Sequence, residues 1–152
     1  MAGQHPPKND DLARAVEAAL PKSLYDIIRQ DRERYLLAMA MDEDLALLAG
    51  EADGGPIRDT LDDWRVVLLR DAQHGQAAAF LVGESQRRGG RWGTSPILAI
   101  DLGRGRARTQ NSIYGLGRRG IGEPPLKHLL HVCALLHGWG IGDPLGVPHV
   151  SY

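Results

Sequence analysis

Four side chains able to bind a metal or move a proton crowd one short stretch: His128, His131, Cys133 and His137. Read as a helix of about 100° per residue, the stretch sets Cys133 and His137 one turn apart. They share a face with Leu126, Leu129, Leu130 and Leu136, while His128 and His131 turn to the far side with Leu135. Such a pair has two chemical uses. As a nucleophile, the thiolate needs a base or cation beside it. As a metal site, it needs three or four ligands, and His149 or His74 would have to complete the set. Packing competes with both, because a cysteine among leucines is commonly a small core residue. Packing is the expectation adopted: Cys133 buried and unreactive, the histidines at the helix margins, and no catalytic residue, metal or cofactor assigned. A small enzyme or metal-binding protein using Cys133 and His137 is the alternative.

The second chemistry is cationic. Fifteen of the 18 basic residues are arginine, whose planar fork suits carboxylate and phosphate; a plain bias of composition toward arginine explains the count as well. Charge is segregated along the chain. Residues 1–86 hold nine basic and sixteen acidic groups, a net of −7; residues 87–119 hold eight arginines and one acid, a net of +7. Arg104, Arg106 and Arg108 alternate at period two, so a strand there places all three on one face. Arg87, Arg88 and Arg91 fall in an adjoining loop with Trp92, a potential stacking platform, and Arg118 and Arg119 follow the strand. This pattern reads as a footprint for nucleic acid or an acidic protein surface. The same arginines could instead pair with acids of the N-terminal helices, and a net charge of −1 gives no overall pull toward DNA.

Other motifs fail. Gly115, Gly117 and Gly120 match G-x-G-x-x-G, but no helix opens at once and no βαβ unit surrounds them, so they read as turn glycines. Ser85 has no glycine two residues on and is no nucleophile elbow.

The elements that must position these groups follow from periodicity. Residues 1–9 read as a flexible leader and 10–152 as a single α+β domain, with helices over 10–64, a β-meander over 77–114, and a C-terminal helix over 124–138 with an extended tail. Asp10 caps a first helix ended by Pro21; Ser23 and Asp26 open a second, with Leu24, Ile27, Ile28, Tyr35, Leu36 and Met39 at helical spacing. Asp42 caps a further turn through Leu48, and Thr60 with Asp63 form another capping box. Residues 64–69 fit helix or strand equally. Strands are expected at 77–84, 94–101 and 104–114, forming a three-stranded antiparallel meander covered on one face by helices. The run 66–69 is too short to cross a bilayer, which needs about 20 apolar residues. A single cysteine excludes an internal disulfide. A cytoplasmic protein without membrane contact is expected.

Two stretches carry a family resemblance. Thr94-Ser95-Pro96-Ile97-Leu98-Ala99-Ile100-Asp101 is followed by Ala107-Arg108-Thr109-Gln110-Asn111-Ser112-Ile113-Tyr114-Gly115-Leu116-Gly117; the tail reads Trp139-Gly140-Ile141-Gly142-Asp143-Pro144-Leu145-Gly146-Val147-Pro148-His149. Over residues 64–152 the chain resembles a small bacterial family of unknown function associated with phage and conjugative elements. The resemblance implies a compact accessory protein and carries over no catalytic residue. The combined expectation is a non-enzymatic accessory or inhibitor module that presents its arginine-rich face and loop to an anionic partner.

Overall fold

The computed structural model describes residues 9–149. The expected leader, but for Asn9, and the end of the expected tail lie outside them. The chain runs α1 (Asn9–Ala19), a 3-10 turn (Leu24–Asp26), β1 (Tyr35–Met39), α2 (Asp42–Leu48), β2 (Ile57–Asp71), β3 (Gln76–Ser85), β4 (Arg91–Gly93), β5 (Ile97–Asp101), β6 (Arg106–Thr109), β7 (Ile113–Leu116) and α3 (Leu126–Gly138). This is an α+β arrangement built on one mixed sheet of seven strands.

β2 is the spine of that sheet. Its 15 residues pair antiparallel with β3 along one side. Its other side is divided between two partners. The first part, Ile57 to Leu61, pairs parallel with β7, and the last part, Val67 to Asp71, pairs antiparallel with β1. Between them the register shifts at Asp62–Arg65, where Asp63 adopts left-handed geometry at φ 49°. A bulge of this kind re-aims side chains and sharpens the local twist. Here it turns Arg65 inward.

The sheet is covered on both faces, so β2 is buried without alternation from Trp64 to Leu68. On one face Val67, Phe80 and Val82 meet Leu129, Val132, Cys133 and Leu136 of α3, with Leu24, Ile27 and Ile28. On the other, Leu61, Trp64, Val66, Leu68 and Leu81 meet Leu45 of α2 and Ile97, Ile100, Ala107 and Tyr114. The Thr94 amide donates to the Leu81 carbonyl at 3.0 Å, and the Leu81 amide to Thr94 Oγ1 at 3.1 Å.

The coarse α+β class agrees with the sequence; the expected three-stranded meander does not. β3 is the first expected strand, but it lies between β2 and β4 and does not pair with β5. The expected third strand is two strands, because Thr109 accepts and donates bonds across a turn at 110–112: its amide reaches the Ser112 carbonyl at 2.8 Å. A true antiparallel meander does occur, as β5–β6–β7. The helical reading of 10–64 holds only for α1 and α2. Residues 35–39 form β1 and 57–71 form β2, since pairing along β2 outweighs the local helical spacing. The Ser23 helix stops after one 3-10 turn. Its carbonyls are satisfied by arginine side chains instead: Arg29 Nε donates to Asp26 O at 3.0 Å and Arg32 Nε to Ile28 O at 2.7 Å. The expected extended tail turns back on itself, with Val147 N donating to Gly142 O at 2.9 Å.

Arg65 holds the two halves of the fold together. Its guanidinium is 5% exposed, ion-pairs with Asp63 at 3.2 Å, and donates to the carbonyls of Ile121 and Gly122 at 2.9 Å each. Replacing one member of a buried charged network costs about 3–5 kcal/mol. Arg65→Met is therefore expected to lower unfolding stability by about 3 kcal/mol, read from denaturant titration. Gly138→Ala, whose added methyl meets nothing within 4 Å, serves as the near-neutral control.

Candidate functional site

A buried acid organises the basic loop. Asp59 on β2 is 8% exposed. Its carboxylate accepts the Ser85 hydroxyl, the Thr60 amide at 2.8 Å and the Arg87 amide at 3.1 Å. Ser85 Oγ in turn accepts the Arg88 amide at 2.9 Å. Gly89 and Gly90, at φ 72° and 89°, close the turn. The loop that carries Arg87 and Arg88 is thus fixed at its base by an acid.

Arg87 reaches across the start of β2, donating through Nη1 to the Arg58 carbonyl at 3.1 Å. Arg58 approaches Ser112 Oγ at 3.4 Å. Together Arg58, Arg87 and Arg108 line an open groove of about 720 Å³, with Asn111, Ile57 and Leu98 on its walls. Ile57 and Leu98 are 40% and 51% exposed, so the groove is part cationic and part apolar. β6 holds Arg106 and Arg108 outward and buries Ala107 and Thr109, the alternation expected of a strand. Arg104 lies in the preceding turn.

The nine expected site residues do not form one surface. Arg87 and Arg108 meet in the groove. Arg104 and Arg106 meet at Asp53, at 2.8 and 3.6 Å. That acid comes from the loop after α2 and not from a helix. With Arg104 66% exposed, its pair is worth at most about 1 kcal/mol. Arg88 lies over the Trp92 ring at 4.6 Å, and Arg58 over the same ring at 5.5 Å; the Trp92 indole N–H approaches Tyr114 Oη at 3.3 Å. Trp92 is therefore engaged within the protein. Arg91 pairs across β4 with Glu84 of β3. Arg118 and Arg119 lie apart, beyond β7. The Arg118 amide donates to Asp62 Oδ1 at 2.9 Å, and with the Gln86 amide group it holds the Asp62 carboxyl below the usual carboxylate range. Arg119 lies over Trp64 and 3.8 Å from Asp42.

Arg58 and Asp59 were not anticipated. Gly54-Gly55-Pro56 has the form of a chain break and Thr60 with Asp63 that of a capping box, so no local signal marks 57–60 as strand.

α3 departs from expectation at His128. This residue is wholly buried, with Nε2 2.9 Å from Glu84 Oε1, and its Nδ1 has no hydrogen-bond partner. Burial opposes ionisation of Glu84, yet its bonds to Lys127 and His128 hold its pKa below the usual value. Burial, with the charges of Arg91 and His128, pushes the His131 pKa down.

Cys133 lies in the core as a leucine-facing residue. No hydrogen bond joins it to His137 among the described residues. His137 instead uses Nε2 on the carbonyls of Val147 and Pro148, and stands with Asp143 and His149 as the one group of three potential metal ligands among the described residues.

No protein-family model, curated protein or solved structure matches this chain.

Burial pushes the Cys133 thiol up to about 11. Its thiolate fraction at pH 8 is then roughly 100-fold below that of an ordinary cysteine. Modification by a thiol reagent at pH 8 is expected to be at least about 100-fold slower in the native protein than in denaturant, followed by mass spectrometry.

Proposed function

We propose that the protein is a non-enzymatic accessory or inhibitor module that binds an acidic segment of a partner protein in the Arg58/Arg87/Arg108 groove. The observation that supports this reading is the meeting of three arginines and two half-exposed apolar residues in one open groove. Guanidinium forks pair bidentately with carboxylates, and Ile57 and Leu98 offer apolar surface to the flanking side chains of a peptide.

Three features favour a protein partner over nucleic acid. Arg58 and Arg88 already lie over the Trp92 ring, so a base would have to compete with them to stack there. Asp53 lines the groove and offsets Arg104 and Arg106, an arrangement that repels a continuous phosphate backbone. The net charge of −1 provides no long-range attraction to a polyanion.

The test is fluorescence anisotropy with a labelled peptide that alternates glutamate and leucine. Charge-assisted hydrogen bonds contribute about 1.5–3 kcal/mol each. Arg87→Ala/Arg108→Ala is therefore expected to weaken binding at least about tenfold, the equivalent of about 1.4 kcal/mol, while Arg118→Ala leaves it unchanged. Single- and double-stranded DNA are titrated alongside. DNA binding tighter than the peptide's, with a steep loss as salt rises, would replace this reading with a nucleic-acid site. Peptide binding indifferent to Arg87 and Arg108 would remove the groove from consideration.

A further inference from the structure

We propose that the loop after α3 is a binding site for a divalent transition-metal ion, with His137 Nδ1, the Asp143 carboxylate and His149 Nε2 as ligands. The ligand atoms of these three residues all lie within 4.8 Å of one another. His137 Nδ1 is 3.8 Å from Asp143 Oδ1, and His149 Nε2 is 2.5 Å from the same oxygen.

The proton on His137 is placed by its surroundings. Nε2 lies 3.0 Å from the Val147 carbonyl and 3.2 Å from that of Pro148. Carbonyls only accept, so Nε2 carries a hydrogen, and in the neutral imidazole Nδ1 presents its lone pair. An imidazole whose second nitrogen donates to a backbone carbonyl is the usual outer-shell support of a metal ligand. In that tautomer Nδ1 lies 3.8 Å from Asp143 Oδ1, the oxygen that His149 Nε2 also approaches, so a cation that displaced the His149 proton would find all three donors within reach.

The loop that supplies the other two ligands is built and not loose. Gly146 N donates to Asp143 O at 3.0 Å, and Val147 N to Gly142 O at 2.9 Å. Leu145 and Val147 are buried in the core, and the Leu145 carbonyl accepts the amides of Arg29 and Gln30 at 2.9 Å each. Gly142 is required by the close approach of the His137 ring, since a Cβ there would meet Nδ1 at 2.1 Å. His137 is 15% exposed, whereas Asp143 and His149 are 78% and 70% exposed. His149 stacks on His137 with ring centroids 3.8 Å apart. Its exposure leaves it free to swing Nε2 to the roughly 2.0–2.1 Å of a zinc–nitrogen bond. The open side admits water as the remaining ligand. Two imidazoles and one carboxylate select zinc, cobalt or nickel over magnesium or calcium.

The experiment uses the untagged full chain. Co²⁺ is titrated with visible absorption as the readout, and Zn²⁺ by calorimetry. One equivalent is expected to bind, and Zn²⁺ is expected to raise the unfolding temperature. Asp143→Asn and His149→Ala, both at exposed positions, should each weaken binding at least about tenfold while keeping the metal-free unfolding temperature of the parent. His74→Ala, beside Asp71, should bind as the parent does. Absence of stoichiometric binding overturns the proposal. So does binding unchanged in Asp143→Asn and His149→Ala, or binding lost equally in His74→Ala.

Discussion

The burial of Arg65 at the β2 bulge is the constraint on which the remaining structure depends. A guanidinium taken out of water is tolerated only when its donors are met. Asp63 supplies a carboxylate and a carbonyl, but the other partners, the Ile121 and Gly122 carbonyls, come from the segment beyond β7. That segment must therefore lie against β2. Gly120 permits it, because a Cβ there would fall 2.6 Å from Arg65 Cζ. The parallel pairing of β7 with β2, and hence the position of β6 and its arginines, follows from one buried charge and the glycine beside it.

The segregation of charge along the chain resolves into a set of local pairings. The acids that meet the basic segment come mostly from a loop and from β2, as Asp53, Asp59 and Asp62, with Asp42 at the start of α2 a helical acid 3.8 Å from Arg119. They act mostly on backbone amides or on one or two arginines each. Asp59 fixes the loop that carries Arg87 and Arg88, and Asp53 ties Arg104 and Arg106. Arg87 and Arg108 remain on the groove side, with the polar side chains of the β6–β7 turn. The electrostatic pattern seen in the sequence was real, but folding consumes a large share of it internally.

What could be read from the sequence was what depends on near neighbours. α1, α2 and α3, β3, a strand within 94–101, and the outward alternation of Arg106 and Arg108 are all set by local periodicity and turn residues. What could not be read depends on distant partners. Tyr35 to Met39 has helical spacing but becomes a strand because the far end of β2 lies alongside. Thr60 and Asp63 have the form of a capping box but flank a bulge. His128, expected at a helix margin, is buried because Glu84 waits for it on β3. The histidine cluster at 137 and 149 was legible only as an open possibility, since the turn that closes it is fixed by contacts of Leu145 with residues 29 and 30.

The parallel pairing of β2 with β7 also bears on how the chain reaches this state. The β2–β3 hairpin closes across a short turn and the β5–β6–β7 meander across two more, all inexpensive in loop entropy. Joining Ile57 to Ile113 is a distant closure of the kind that slows folding. Until it happens, Arg65 has no carbonyls from 121 and 122 and must stay hydrated. A hairpin formed alone keeps its bulge wet, and the two halves dry and dock in one step. The buried guanidinium thereby works against half-folded intermediates and couples the meander and the hairpin into a single cooperative transition.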